Sequence, residues 1–490
     1  MDDSLLLHVL SFLPHLPLST LPRCRLVARQ WAQLAADDLL WRPICMTAFR
    51  LNEKVGPPAR GEIAPPVSSF MEAARAWELL RRANGESTLR HSEPIAPVWL
   101  LSARFWRKLA SWAHEHLPVL LESLGPPAEE AAWVRLVQAL ELPPSLPGLL
   151  QLRALTSVHD GQRLRLDAEI AVELGVLGPE YLESHPPTSS SINQKSHGLL
   201  GGYSAYDRFT CCRLFPLRLV EAWTLAFRAR CANISLAQLI IGGDWDLQKF
   251  VVLNAHDGEV SIAHIQGRAN ALLHTHRALP AGVGVECAPH GTQLLHWLDE
   301  YATRLGRGMY VCEELVPLHA STMGVSLFPQ TPPRQTHAVT RGILVAATSC
   351  AAPELGSVVY SIRIRLLAPG EEGGLTATAR GFVTAQLCSR HWVITDRSGM
   401  VEHVRGDGVI GRYPLLRDGG WRDDSGRSRD SMWGGREREG TFVYQSMTSC
   451  SGMTLEGELT FVPGSISEPS GPEFLVTVAR FPLSGDEYIF

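Results

Sequence analysis

The chain has 490 residues, 45% of them hydrophobic and 19% charged, with a formal net charge of −5. At about 100–200 residues per domain this length makes two to four domains, and the apolar content suffices for several cores. The mild acidity argues against a nucleic-acid binder, and the acidic, proline-interrupted start argues against a signal peptide or an apolar span of about 18 residues.

A soluble protein kept inside the cell, cytoplasmic or nuclear, is therefore expected, with no membrane and no nucleic acid among its partners. The ten cysteines form no C-x-x-C, and the nearest pair is Cys211–Cys212. Buried reduced thiols are expected instead of a zinc site, which usually draws on paired short spacings. Asn233-Ile234-Ser235 matches a glycosylation acceptor but means nothing without a secretory signal.

In chain order, Leu6, Leu10 and Leu13, with Leu5 and Val9, recur at helical spacing until Pro14 ends the stripe. Ser19 or Thr20 can cap a second helix, in which Val27, Trp31 and Leu34 share a face. Asp37 or Asp38 caps a short third helix carrying Leu40, Trp41 and Ile44. So many large apolar groups on so small a unit leave some exposed, which points to a protein partner, or else they join a larger core. The pattern alone leaves both open.

The runs LLLHVLSFLP, RLVARQWAQLA and DDLLWRPIC resemble an F-box, the motif that docks on the Skp adaptor of ubiquitin ligases. It departs from that motif where Asp3-Ser4 stand in place of the usual Leu-Pro. The resemblance implies that Leu6, Leu10, Leu13, Pro14, Val27, Trp31 and Trp41 form or support the adaptor face.

Residues 51–68, rich in Pro, Gly and charge, are expected to be a linker. Met71, Ala74, Trp77 and Leu80 then recur at helical spacing, and Leu101, Phe105, Trp106, Leu109 and Trp112 mark a longer helix whose tryptophans suit a core. WVRLVQALELPPSLPGLLQLRALTSVHDGQ gives two more helices around a proline turn. LAQLIIGG and KFVVLNAHDGEVSI have strand composition, and LLHWLDEYATRLGRGMY is a helix. The order resembles the SUKH (SMI/KNR-type) domain, a binding scaffold, over 69–325. His114-Glu115-His116 and His274-Thr275-His276 are expected at the surface, with no third metal ligand evident beside either.

From Thr340 the texture changes. GILVAATSC, VVYSIRIRLL, TAQLCSRHWVITD, MVEHVR, FVYQSMTSC, LEGELTFVP and EFLVTVARFPL are strand-like runs punctuated by turn residues, which suggests a β-sandwich. Within them Gly406, Gly408 and Gly411 spell G-x-G-x-x-G. A dinucleotide loop needs a helix after its third glycine, and RYPLLRDGG forbids one. The glycines are expected to relieve a tight turn or bulge, binding neither ATP nor NAD.

The runs QLCSRHWVITD, GDGVIGRYPLL, YQSMTSC, GMTLEGELTFVP and VARFPL resemble the ApaG domain over 337–484, with Arg390, His391, Trp392, Gly406, Gly408, Gly411 and Pro414 in its structural motif. Residues 417–440, rich in Gly, Arg, Asp and Ser, are expected to be a mobile insertion.

The expected fold is therefore multidomain α+β: a three-helix F-box at 1–50, a central α/β SUKH-like domain, and a C-terminal all-β, fibronectin-like ApaG sandwich. That order resembles the animal F-box-only protein three group and the plant Skp-interacting F-box/ApaG proteins. It implies a non-catalytic subunit of a Skp–cullin–F-box ligase. Its partners would be the Skp adaptor, through it cullin and RING subunits, and an unknown protein substrate, with no cofactor and no metal. The competing readings are a Skp-bound scaffold without cullin, or an ApaG-dependent small-molecule binder or enzyme. G-x-S-x-G, H-E-x-x-H and a P-loop are all missing from the chain.

Overall fold

The computed structural model describes residues 35–57, 66–83, 95–163, 197–206, 208–244, 246, 248–266, 271–279, 292–316, 322–422, 440–449, 453–483 and 488–490. The first two expected helices, at residues 1–34, lie outside these.

Asp37 accepts a hydrogen bond from the Leu39 amide at 2.8 Å and so caps helix α1, Asp38–Ala48. Asp38 in turn accepts from the Phe70 amide at 2.8 Å, which ties α1 to the start of α2, Phe70–Ala83. The Cys45 thiol on the inner side of α1 reaches the Phe70 carbonyl, and burial pushes it up to about 12. The described residues between the two helices do not hang free as a linker would. Leu51 is buried, and Val55 pairs with Pro66 and accepts from the Trp77 indole at 2.9 Å.

Helices α3 (Ile95–His116), α4 (Pro118–Glu122), α5 (Glu130–Leu140) and α6 (Pro147–Thr156) follow. The α3 tryptophans serve the core. Trp99 and Trp106 are buried, and the Trp106 indole donates to the Leu155 carbonyl at 3.0 Å. Helix α6 is buried at all but Pro147 and Arg153, with Pro147 in its first turn, where a missing N–H costs nothing.

The central strands are β1 (Gly202–Ala205), β2 (Arg208–Cys211), β3 (Arg213–Leu214), β4 (Gln238–Gly243), β5 (Phe250–Asn254), β6 (Val260–Gln266), β7 (Leu272–Arg277), β8 (Val311–Glu314) and β9 (Met323–Ser326). Helix α7 (Leu217–Arg230) precedes β4, and α8 (Gln293–Gly306) precedes β8. Strands β3 to β7 form an antiparallel meander in chain order, with α7 packed on β4 and α8 on α3. A second sheet runs β2-β1-β9-β8, its β1–β9 pair parallel.

The C-terminal region is β10 (Thr336–Thr340), β11 (Ile343–Ala352), β12 (Ser357–Leu366), β13 (Ala385–Thr395), β14 (Val401–Asp407), β15 (Leu415–Arg417), β16 (Gly420–Arg422), β17 (Phe442–Thr448), β18 (Met453–Pro463) and β19 (Phe474–Leu483). A 3-10 turn, Pro353–Leu355, and a one-turn helix α9, Ala377–Arg380, interrupt them. One sheet is ordered β10-β11-β12-β17, the other β16-β15-β13-β18-β19, with β14 and β15 sharing one edge of β13. Ile362, Trp392, Phe442, Leu459 and Phe481 fill the layer between them as a core of their own.

All seven strand-like runs read from the sequence are strands here. The 417–440 insertion needs correction at its start. Arg417 and Gly420–Arg422 belong to the β15–β16 hairpin, and Trp421 is buried in the sandwich core. Residues 423–439 lie outside the described ones. Beyond β19 the chain returns to the central unit. Phe490 is buried against Trp297, Tyr301 and Tyr310, with Trp297 stacked on it at 5.3 Å between ring centres. Among the described residues no helix is long and apolar enough to cross a membrane.

Candidate interaction surfaces and the glycine turn

Of the seven residues expected at the adaptor face, Leu6, Leu10, Leu13, Pro14, Val27 and Trp31 lie outside the described residues. Trp41 is described, and it is sealed inside. It is 2% exposed, and its indole donates to the Ala35 carbonyl at 2.6 Å. Trp41, with Leu40, Ile44 and Cys45, fastens α1 onto the helical core, so its part is to support the helix from behind. The opposite side of α1 carries the bare apolar groups, Leu39 at 73% and Met46 at 50% exposure. The sequence reading passed over both, although they sit on the polar side of the stripe it had identified.

The glycine stretch forms a hairpin. Strand β14 pairs with β13 so that Gly406 faces Arg390. A Cβ on Gly406 would stand 2.9 Å from the Arg390 guanidinium, so the glycine makes room for that side chain. Arg390 then donates to the Gly408 carbonyl at 2.8 Å and holds the turn from below. Val409 and Arg412 exchange both backbone hydrogen bonds, at 2.9 and 3.0 Å. Between them Ile410 and Gly411 have φ of 46° and 72°, the left-handed pair of a type I′ turn. Gly408 itself has φ of 55°. A strand, β15, follows instead of a helix. The Pro414 carbonyl accepts from the Leu387 amide, which starts β15 alongside β13. Thus Gly406, Gly408, Gly411 and Pro414 shape the end of a sandwich, and no amide-lined helix start is present to hold a phosphate.

Trp392 points into the sandwich core, while its neighbour His391 points out. His391 Nε2 lies 2.9 Å from His403 Nδ1 on β14, with the rings stacked. A second imidazole cluster joins β6 and β7, where His264 stacks on His274 at 5.2 Å and on His276 at 6.0 Å. His264, supplied by the partner strand, was not foreseen from the His274-Thr275-His276 pattern. Burial, then the neighbouring imidazoles, hold His264 below the usual histidine value. Among the described residues no three histidine, cysteine or carboxylate side chains converge as metal ligands. His114 and His116 are exposed near the end of α3.

On the outer face of β10–β12 lies a cleft of about 920 Å³. Val339, Leu344 and Ala346 form its floor, and Arg363 and Arg365 its side. Glu313 and Gln330 hold Arg363 at 2.6–2.7 Å, and Glu371 holds Arg365 at 2.6 Å, so both guanidinium groups are fixed before anything enters.

The sandwich and the central unit meet at a buried polar seam. Tyr203 donates to the Glu354 carboxylate, which also lies 4.0 Å from Lys249 Nζ. Lys249 donates to the Phe490 main-chain oxygen at 2.6 Å. Burial pulls the Lys249 ammonium down, but Glu354 and nearby groups bring it above the ordinary lysine value. Burial and then Glu354 raise Tyr203 well above the phenol range. Ser204 adds two hydrogen bonds to Gln445, at 2.6 and 3.0 Å.

Comparison with known proteins places two family models on the chain, an F-box-like one at residues 3–47 and the ApaG domain at 353–421. The chain pairs an F-box-like segment with an ApaG domain. Along 503 aligned residues, the chain is 27% identical to F-box protein SKIP16 of Arabidopsis thaliana, covering 96% of this chain and 94% of that one. Over 45 residues the chain is 56% identical to Protein ApaG of Acidovorax sp., which is 9% of this chain and 33% of that protein. Against Protein ApaG of Stenotrophomonas maltophilia it is 46% identical over 68 residues, 14% of this chain and 45% of that one. The shared part thus spans less than half the length of either bacterial protein.

Proposed function

We propose that this chain is the substrate-recognition subunit of a Skp–cullin–F-box ubiquitin ligase. The observation that carries the reading is the F-box-like match at residues 3–47, joined to similarity with an F-box protein along nearly the whole length. Leu6, Leu10, Leu13, Pro14, Val27 and Trp31 form the adaptor face, and Trp41 supports it from behind. The bare side of α1, with Leu39 and Met46, extends it. The central region, 69–325, is a SUKH-like scaffold, a reading supported by its run of helices, antiparallel meander and closing helix α8. Together with the ApaG sandwich, 337–484, it recruits the target.

The subunit does no bond chemistry. It holds a target lysine near a thioester carried elsewhere in the ligase, which makes a bimolecular transfer effectively intramolecular. Cullin and RING subunits join through the adaptor, in the cytoplasm or nucleus.

Affinity purification from cells tests this. Wild-type chain is expected to bring down the adaptor together with cullin. Leu10→Asp with Trp31→Ala is expected to lose both while the ApaG sandwich stays folded by its thermal transition. Adaptor without cullin would favour a non-ligase scaffold, and capture undiminished in the double variant would remove the F-box assignment.

A further inference from the structure

The chain is nearly devoid of lysine. Its 45 basic residues include only Lys54, Lys108, Lys195 and Lys249, and the rest are arginines. From residue 250 to residue 490 there is not one lysine, although lysine ranks among the commonest residues in ordinary proteins. Positive charge is nonetheless plentiful there. Arg397 and Arg405, for example, stand exposed around β14.

Two of the four lysines are engaged and one is sealed. Lys54 sits 2.6 Å from the Asp38 carboxylate, beside α1. Lys108 donates to Asp299 at 2.9 Å and to Thr303 at 2.8 Å. Lys249 has only 1% of its side chain exposed and is held by Phe490 and Glu354. Lys195 lies outside the described residues.

Arginine and lysine differ in the property a ubiquitin ligase reads. A lysine amine, once deprotonated, attacks the thioester carbonyl. The isopeptide C–N bond forms, the C–S bond breaks, and the surplus amine proton goes to the departing sulfur, which leaves as the thiol. A guanidinium stays protonated at any working pH and offers no such nucleophile. Substituting arginine for lysine therefore keeps the surface charge and deletes the acceptor.

We infer that, of the described lysines, Lys54 and Lys108 take ubiquitin on their side-chain amines and Lys249 does not, and that residues 250–490 offer no side-chain amine acceptor at all. This rests on the ligase reading above and adds the direction of transfer. With the sandwich and the rest of residues 250–490 empty of competing amines, a target held there draws the thioester to itself and away from the receptor. Of the lysines described outside the core, Lys54 lies beside α1 and Lys108 on α3, and neither is on a strand of the sandwich.

The test uses the full chain with its adaptor, cullin and RING subunits, activating and conjugating enzymes, ubiquitin and ATP. Adaptor capture is measured first, before ubiquitin is added. Its failure would sink the ligase reading itself, and this inference with it. With capture in place, slow self-modification is expected, with mass spectrometry finding ubiquitin remnants at Lys54, Lys108 or Lys195 and none at Lys249. The charge-preserving variant Arg397→Lys with Arg405→Lys, checked for an unchanged thermal transition, is expected to gain remnants at both new positions and a several-fold faster loss of unmodified chain. Modification at Lys249 in the folded chain, or no gain in that variant, would overturn the inference while leaving the ligase reading standing.

Discussion

Gly408 shows how a single residue can mislead a motif reader and still be indispensable. Its φ of 55° and its position under Tyr413 leave no place for a side chain, because a Cβ would stand 2.6 Å from the Arg412 carbonyl. Gly408→Ala is expected to destabilise the sandwich by about 1–3 kcal/mol, the ordinary range for a non-glycine forced into that region, as read by urea unfolding. Gly411→Ala, with open space around its Cβ, should cost less, since only backbone strain is at issue. The turn was legible because Pro414 and Gly419-Gly420 forbade the helix a phosphate loop requires. What could not be read was Arg390 reaching across to the Gly408 carbonyl, which depends on the β13–β14 register. The buried side of Trp41 was hidden for a related reason. Its helical phase was plain, but which side of α1 meets the core depends on α2, joined through Asp38.

Between strands the same limit produces the imidazole ladder on β6 and β7. His274 and His276 were visible as a pair, but His264 enters only through the hairpin pairing His264↔His274. Because burial and its neighbours lower the folded-state value of His264, the unfolded chain binds more protons below about pH 6.5. Stability is then full above that pH and falls as pH drops through the folded value, with Glu354 opposing the shift. His264→Gln is expected to flatten the decline in melting temperature below about pH 6.5, measured by scanning calorimetry. An equal decline in both proteins would show that the ladder does not titrate as described. Strand identity itself was well marked in the sandwich, where apolar and polar residues alternate. The short β10 and the β15–β16 hairpin were missed because three to five residues carry too little alternation to stand out from a loop.

Across the whole molecule the two cores are bound by buried charge as well as by grease. Glu354 belongs to the sandwich, while Tyr203 and Lys249 belong to the central unit. Glu354→Leu alone strands the Lys249 ammonium in a sealed site and is expected to cost about 3–5 kcal/mol. Glu354→Leu with Lys249→Met removes both charges and should recover much of that loss, a non-additivity that denaturant titration of the three proteins would expose. Additive losses would mean that the two groups do not sense each other. Domain content was readable from texture, namely helices, then mixed elements, then strands. The seam was not, since nothing in one sequence ties Ser204 to Gln445 or Phe490 to Trp297.

That returning tail bears on how the chain can be dissected. A fragment cut at the end of β9 would leave the upstream piece with an open aromatic slot lined by Trp297, Tyr301 and Tyr310, and the downstream piece with a loose Phe490 and a naked Glu354. Supplied together, the halves carry complementary halves of one lock and should find each other without a covalent link.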